Sequence, residues 1–250
     1  MRKYLLKKDT IDLRDKTFRA ATIKNTLPAK IDLRVGCSPI VDQGELGSCT
    51  ANAIASGLRE YLLLQAKQPL TRLSRLFLYY EERALEGTIN EDSGAMIRDG
   101  MKVLQKTGVC PEADWPYVVS TYADPPTEKD IADAKQFVIS EYHRVTSLVL
   151  LKAALVEILP VVIGIDVYES FESDAVTKTG IVPIPNPKSE QLLGGHAVLV
   201  VGYDDNMVHG RTKGYLIVRN SWGSSWGDQG YFYLPYSYFN KYASDCWTGK

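Results

Sequence analysis

The sequence predicts an α+β protein of two lobes, and three observations carry that prediction. Helical hydrophobic spacing dominates the first half, β-branched runs dominate the second, and a charge-rich stretch precedes both. Residues 1–27 read as an N-terminal arm, 28–137 as a mainly helical lobe and 138–250 as a mainly sheet lobe. A cleft between two such lobes is a natural place for a site.

The arm scatters Leu5, Leu6, Ile11, Leu13 and Phe18 among charges, too few apolar positions for a core. Ile31-Asp32-Leu33-Arg34 reads as a short strand, and residues 41–48 as a glycine-punctuated loop. That loop feeds the strongest helical pattern, Cys49 to Gln65, where Ile54, Leu58, Tyr61 and Leu62 recur at helical spacing and Ser48 stands as N-cap. Further helices are predicted over 74–84, over 93–106 with a stop at Gly108, over 128–134 after Asp124-Pro125-Pro126-Thr127, and over 149–159. Strands are predicted at 161–167, 196–201, 215–219 and 230–234. The tyrosines at 231, 233, 236, 238 and 242 fit sheet and lobe packing better than a ligand surface.

The charge is balanced, 29 Lys and Arg against 30 Asp and Glu, without a dense basic stretch, which argues against nucleic acid or an anionic membrane as partner. No apolar run approaches the roughly 20 residues of a transmembrane helix. The opening residues carry only a two-leucine apolar patch, short of the roughly 7–15 of a secretory signal. A cytoplasmic chain is expected, or one exported without a recognisable N-terminal signal. Four cysteines (Cys37, Cys49, Cys110 and Cys246) are too sparse for a disulfide scaffold, and keeping Cys49 free leaves at most one bridge among the others. There is no C-x-x-C pair, and His143, His196 and His209 lack ligand spacing, so no metal and no cofactor is expected.

Cys49 sits in the first turn of the strongest helix, where unpaired amides and the helix dipole favour a thiolate. The plainer reading is a small residue packed under a helix start. Gln43 lies six residues earlier, across Gly44 and Gly47, so its amide could fold back beside Cys49 and, with the Cys49 N–H, hold an oxyanion. Alone, it would be a solvated loop residue. His196 opens an apolar strand after Gly194-Gly195, and Asn220 closes another before Ser221-Trp222-Gly223; each alone also fits a strand end or a turn. An antiparallel hairpin with His196 opposite Asn220 would pair Tyr203 with Lys213 and leave 204–212 as its loop. An asparagine there could fix the imidazole tautomer.

These residues fall into three ordered motifs: Gln43-Gly44-x-x-Gly47-Ser48-Cys49, Gly195-His196-Ala197-Val198-x-x-Val201-Gly202-Tyr203, and Asn220-Ser221-Trp222-Gly223-x-x-Trp226-Gly227-x-x-Gly230-Tyr231. Together they resemble the papain family of cysteine peptidases over about residues 28–235, including the start at Leu27-Pro28-Ala29-Lys30-Ile31-Asp32. The 147 residues from Cys49 to His196 lie within the roughly 130–150 usual for that family. The resemblance implies a papain-like two-lobed fold, with a helical N-terminal lobe and an antiparallel sheet or barrel behind it, and the active site in the cleft. It implies a cysteine-type endopeptidase acting on peptide or protein substrates. Cys49 and His196 would form a thiolate–imidazolium pair, Asn220 would orient the histidine and Gln43 would supply the oxyanion donor. Trp222 would shield the His196–Asn220 contact and Trp226 would line the leaving-group side. Ser93, Gly94 and Gly195, together with Trp226, are the expected substrate-binding residues, Ser93-Gly94 resembling a dipeptide whose backbone pairs with an extended substrate.

Two departures stand out. Leu46 replaces the family's usual cysteine three residues before the nucleophile, and Thr50 replaces the aromatic after it. The first removes a common disulfide, which fits a reducing compartment or a bacterial-type member. The arm is shorter than the family's usual pro-segment. It either crosses the cleft and blocks it or braces the fold, and the first is the expectation. The competing functions are acyl transfer to an amine or isopeptide cleavage on the same site, and an inactive papain-fold binding or regulatory protein. The last typically loses the cysteine, histidine or glutamine, all retained here.

Overall fold

The structure, a computed structural model, describes residues 2–20 and 27–250; Met1 and residues 21–26, part of the expected arm, lie outside the described residues. The apolar spacing after residue 48 gives one continuous helix, α1 (49–65), with an interruption that periodicity does not reveal. Cys49–Ala51 and Glu60–Gln65 are α-helical, but Asn52–Arg59 between them is a π-helix. Helices α2 (Arg75–Glu86) and α3 (Ile97–Lys106) pack around it. The predicted start of α3 at residue 93 is four residues early, because Gly94 has a left-handed backbone and Met96 is drawn into a bridge with Lys7. Helix α4 (Glu128–Ala134) starts where Thr127 accepts from the Asp130 N–H and Asp130 accepts from the Thr127 N–H, a reciprocal capping box. Thr127→Ala is expected to cost about 1 kcal/mol, read as a lower urea midpoint at unchanged m-value.

The second half builds the sheet. In chain order it contributes β2 (Tyr142–Arg144), α5 (Leu148–Val156), β3 (Val161–Tyr168), α6 (Asp174–Thr179), β4 (Leu192–His209), β5 (Thr212–Arg219), β6 (Tyr231–Pro235), α7 (Tyr236–Tyr242) and β7 (Ala243–Gly249). The strands run in the order β2-β7-β3-β4-β5-β6, and β1 (Lys30–Asp32) adds antiparallel to β4. The end strands β2 and β6 do not pair, so the sheet is open and not a closed barrel. Tyr236–Tyr242, read from the sequence as part of an alternating tyrosine series, is the helix α7, which buries Tyr238, Phe239 and Tyr242.

Alternation along β4 makes the sheet a wall between two cores. Ala197, Leu199 and Val201 face Ile54, Phe77, Ile97 and Leu104 of the helical lobe. Val198 and Val200 face Leu151, Ile163, Val218 and Phe232 on the other side. β4 and β5 form the expected hairpin, but in another register. Val200 pairs with Val218 and Tyr203 with Leu216, not with Lys213; the strands run on to His209 opposite Thr212, leaving a two-residue turn. Shifts at Val200/Gly202 and Asp204/Val208 produce the difference, since each bulge adds residues to one strand only.

All four cysteines are free thiols. No helix among the described residues is long and apolar enough to cross a membrane.

Candidate active site

The loop 43–48 and the first residue of α1 place Cys49 against β4. Cys49 is fully buried, and its thiol reaches the backbone of Ala197, next to His196. Ser48 stands at the N-cap position but makes no cap with its side chain; its hydroxyl bonds to the Tyr117 hydroxyl at 2.6 Å. Thr50, in the place of an aromatic, turns into the helical lobe and donates to the carboxylate of Glu82 at 2.6 Å. Burial pushes the Glu82 carboxyl well above its usual range.

His196 and Asn220 meet although they are not opposite in register: His196 Nε2 lies 2.9 Å from Asn220 Oδ1. The same oxygen accepts from the Ser221 N–H at 2.9 Å. An oxygen can only accept, so Nε2 carries the proton and Nδ1 keeps its lone pair. Nδ1 is buried without a hydrogen-bond partner. Trp222 stacks on the imidazole, with centroids 4.9 Å apart and planes at 21°, and closes that face to water. Trp226 lies behind Trp222, edge-on to it at 4.8 Å and stacked on Phe171, within the core of the sheet lobe.

Gln43 is buried beside this group. Its Nε2 donates to the Leu46 carbonyl at 3.0 Å, its Oε1 accepts from the Ser221 hydroxyl at 2.6 Å, and its backbone N–H donates to the Ser221 carbonyl at 2.9 Å. Ser221 thus ties Gln43 to the strand end that carries Asn220. The sequence motifs contain Ser221, but nothing in its residue type announced this double role.

The arm crosses directly over these residues. Leu6 N–H donates to the Gly195 carbonyl and Lys7 N–H to the Ala95 carbonyl, each at 3.1 Å, so the arm bonds to both lips. It runs parallel to each, Leu5 bridging to Gly195 and Lys7 to Met96. Gly94 holds φ +66°, and a Cβ there would lie 1.8 Å from the Leu5 carbonyl oxygen. Gly194 would meet the Tyr4 carbonyl at 2.3 Å. Tyr4 sits edge-on to His196 and Trp222, its hydroxyl bonded to Glu172, and the Arg2 guanidinium covers the Trp222 ring. Ser93 accepts from Lys7 Nζ at 3.1 Å, and Lys7 also pairs with Glu86. Of the four expected substrate-binding residues the arm touches Ser93, Gly94 and Gly195, while Trp226 lies in the sheet-lobe core. The apolar run Tyr4-Leu5-Leu6 amid basic residues was the only trace of this in the sequence.

Burial fixes the electrostatics of the covered site. It pushes the Cys49 thiol up to about 12 and, against the favourable Asn220 bond, the His196 imidazole down to about 4. With the arm in place both groups are neutral between these values. Among the described residues no three His, Cys, Asp or Glu side chains gather into a metal site.

The loop before α1, β4 and the end of β5 thus bring Cys49, Gln43, His196 and Asn220 into one group. Residues 27–245 match the family model of the papain family cysteine proteases. The whole chain superposes on xylellain, a cysteine protease from Xylella fastidiosa, with a TM-score of 0.89 and 39% identity, covering 100% of this chain and 97% of that one. An uncharacterised peptidase C1-like protein of Acanthamoeba polyphaga mimivirus is 44% identical over 218 residues, 83% of this chain and 68% of that protein. Human cathepsin L2 is 29% identical over 209 residues, 82% of this chain and 60% of that protein. The chain belongs to the papain family of cysteine proteases, hydrolases that act on peptide bonds.

Proposed function

We propose that this chain is an endopeptidase in which Cys49, His196, Asn220 and Gln43 do the chemistry, held silent by its own arm. His196 Nδ1 takes the thiol proton, and the Cys49 thiolate attacks the peptide carbonyl. The imidazolium then protonates the leaving amine, and water hydrolyses the thioester. Asn220 holds the imidazole in the tautomer this requires. The second Nε2 hydrogen of Gln43 and the Cys49 N–H are the donors for the developing oxyanion, worth about 2.7–4 kcal/mol per donor. The arm, an extended chain bonded to both lips by Leu6 and Lys7, carries this reading. It occupies the path of a substrate and passes the Cys49–His196 pair on both sides, which suits internal cleavage of a peptide. By excluding water it also disfavours the thiolate–imidazolium pair.

Intact-mass labelling with an epoxide thiol-peptidase inhibitor tests the assignment. A single adduct on the wild-type chain is expected to form about 10²-fold more slowly in His196→Ala and more slowly in Asn220→Ala, the loss expected for a general base and its orienter. Equal labelling rates in all three proteins would remove His196 and Asn220 from the mechanism.

A further inference from the structure

Leu46 stands where the family's disulfide would anchor the nucleophile loop, and all four cysteines are free, so the loop 43–49 must be held by other means. A chain of hydrogen bonds, buried at Arg75, Asn52 and Ser48 and half-buried at Tyr117, runs into it from α2. Arg75 Nη1 donates to Asn52 Oδ1 at 3.1 Å and to the Asp42 carbonyl at 3.0 Å. Asn52 Nδ2 donates to the Ser48 carbonyl at 2.9 Å and to the Ser48 hydroxyl at 3.0 Å. The Ser48 hydroxyl lies 2.6 Å from the Tyr117 hydroxyl, which in turn donates to the Gln43 carbonyl at 2.9 Å. Tyr117 spends its one proton on Gln43, so Ser48 donates to Tyr117, and every bond in the chain points the same way. The Arg75 guanidinium lies 3.9 Å over the Tyr117 ring and is itself paired with Glu112.

The chain ends on both oxyanion donors. The Ser48 carbonyl accepts from the Asn52 N–H at 3.0 Å as well as from its side chain. Two bonds to that oxygen fix the plane of the 48–49 peptide, and the Cys49 N–H lies in that plane on the opposite side. At the other end Tyr117 pins the backbone of Gln43, whose side chain Ser221 already holds. We infer that Tyr117, Asn52 and Arg75 are positioning residues that aim the Cys49 N–H and the Gln43 amide at the oxyanion, in place of the missing disulfide. This rests on the catalytic reading above. Preorganised donors act only if aimed at the transition-state oxygen, and a displacement of about 1 Å can cost about 10²-fold in rate.

The test compares wild type, Tyr117→Phe and Arg75→Lys, each as the full chain and with residues 2–9 deleted, on a fluorogenic peptide, with a peptide aldehyde as inhibitor and iodoacetamide as probe of the thiol. Tyr117→Phe keeps the ring under Arg75 and removes only the hydroxyl; Arg75→Lys keeps the charge but loses the Nη1 bonds to Asn52 and Asp42 and the Nε–Nη2 fork on Glu112. The expected result is kcat lower by about 10- to 100-fold. KM and the alkylation rate of Cys49 should stay within about twofold, and aldehyde affinity should fall in step with kcat. Unchanged kcat with a lower melting temperature would make the network structural and overturn the inference. So would a loss confined to KM or to alkylation. Absence of turnover and of Cys49 labelling in both the full chain and the 2–9 deletion would instead overturn the catalytic reading, and the inference with it.

Discussion

Cys49→Ala is expected to abolish both epoxide labelling and peptide hydrolysis, with kcat/KM falling by at least about 10⁴-fold, as when other enzymes lose their nucleophile. The expectation rests on placement. Among the four free cysteines, only Cys49 opens a helix beside a histidine whose Nε2 is committed to Asn220 and whose Nδ1 is left unpartnered. Cys110 and Cys246 are buried as well, but neither opens a helix: Cys110 follows α3 and Cys246 lies in β7. Alanine removes only the sulfur from a site already closed by packing, so the variant should fold and keep its arm docked. Its far-UV spectrum and melting temperature serve as controls. Residual turnover above about 1% of wild type would place the nucleophile elsewhere.

Deleting residues 2–9 is expected to raise the labelling rate of Cys49 by at least about 10-fold, because a competent site reacts in proportion to the fraction uncovered. The size of this gain should depend on pH through Asp9. That carboxylate is fully buried and accepts from Trp247 Nε1 at 2.7 Å, from the Arg98 N–H at 3.1 Å and from Arg144 at 3.1 Å. Asp245 also approaches it, accepting from the Asp9 backbone N–H, and Asp15 shares Arg98 and Arg144. Burial first and the Asp245 charge second outweigh these donors and raise Asp9 from its ordinary 3.8 to about 6. A docked arm therefore holds a proton that a released arm gives up. Docking gains this contribution fully below about pH 4 and loses it as pH rises through about 6, the reverse of an acid-released latch. Between pH 4 and pH 7 the ratio of labelling rates, deletion over full chain, should fall by between about 10- and 100-fold, following a raised pKa of this size. Asp9→Asn should flatten it. A ratio that is flat in the wild type would remove Asp9 from control of the arm.

How much of this was legible beforehand follows from what each signal encodes. Cys49, His196, Asn220 and Gln43 stand in motifs of fixed local spacing, so local reading brought them to attention and the fold gathers them. The β4–β5 register is not legible from spacing, because Val200/Gly202 and Asp204/Val208 each add residues to one strand only. His196 reaches Asn220 all the same, because the side chains bridge an offset the backbone does not close. The π-helical stretch 52–59 is buried throughout from Asn52 to Leu58, so no exposed face marks its wider turn in the sequence. Ser48 satisfied the rule for an N-cap, but Tyr117 and Asn52 compete for its hydroxyl. Tyr117 comes from a distant part of the chain, and Asn52 from the next turn of α1. The arm was the least legible, since Tyr4, Leu5 and Leu6 gain their surfaces only when Gly94, Gly194 and Gly195 are brought together by the two lobes.

The arm's attachment beyond the cleft has a kinetic consequence. Lys16 and Phe18 exchange backbone bonds with Arg144 on the outer edge of β2, and Phe18 is buried against the sheet-lobe core. A segment 2–9 that lets go is still moored a few residues away. Its return is intramolecular, at an effective concentration in the millimolar range for so short a link. On the proposed mechanism, dilution leaves the balance between open and closed unchanged. A competing peptide has to match a tethered rival that never diffuses away, and only severing the link between residues 9 and 16 would make the opening permanent.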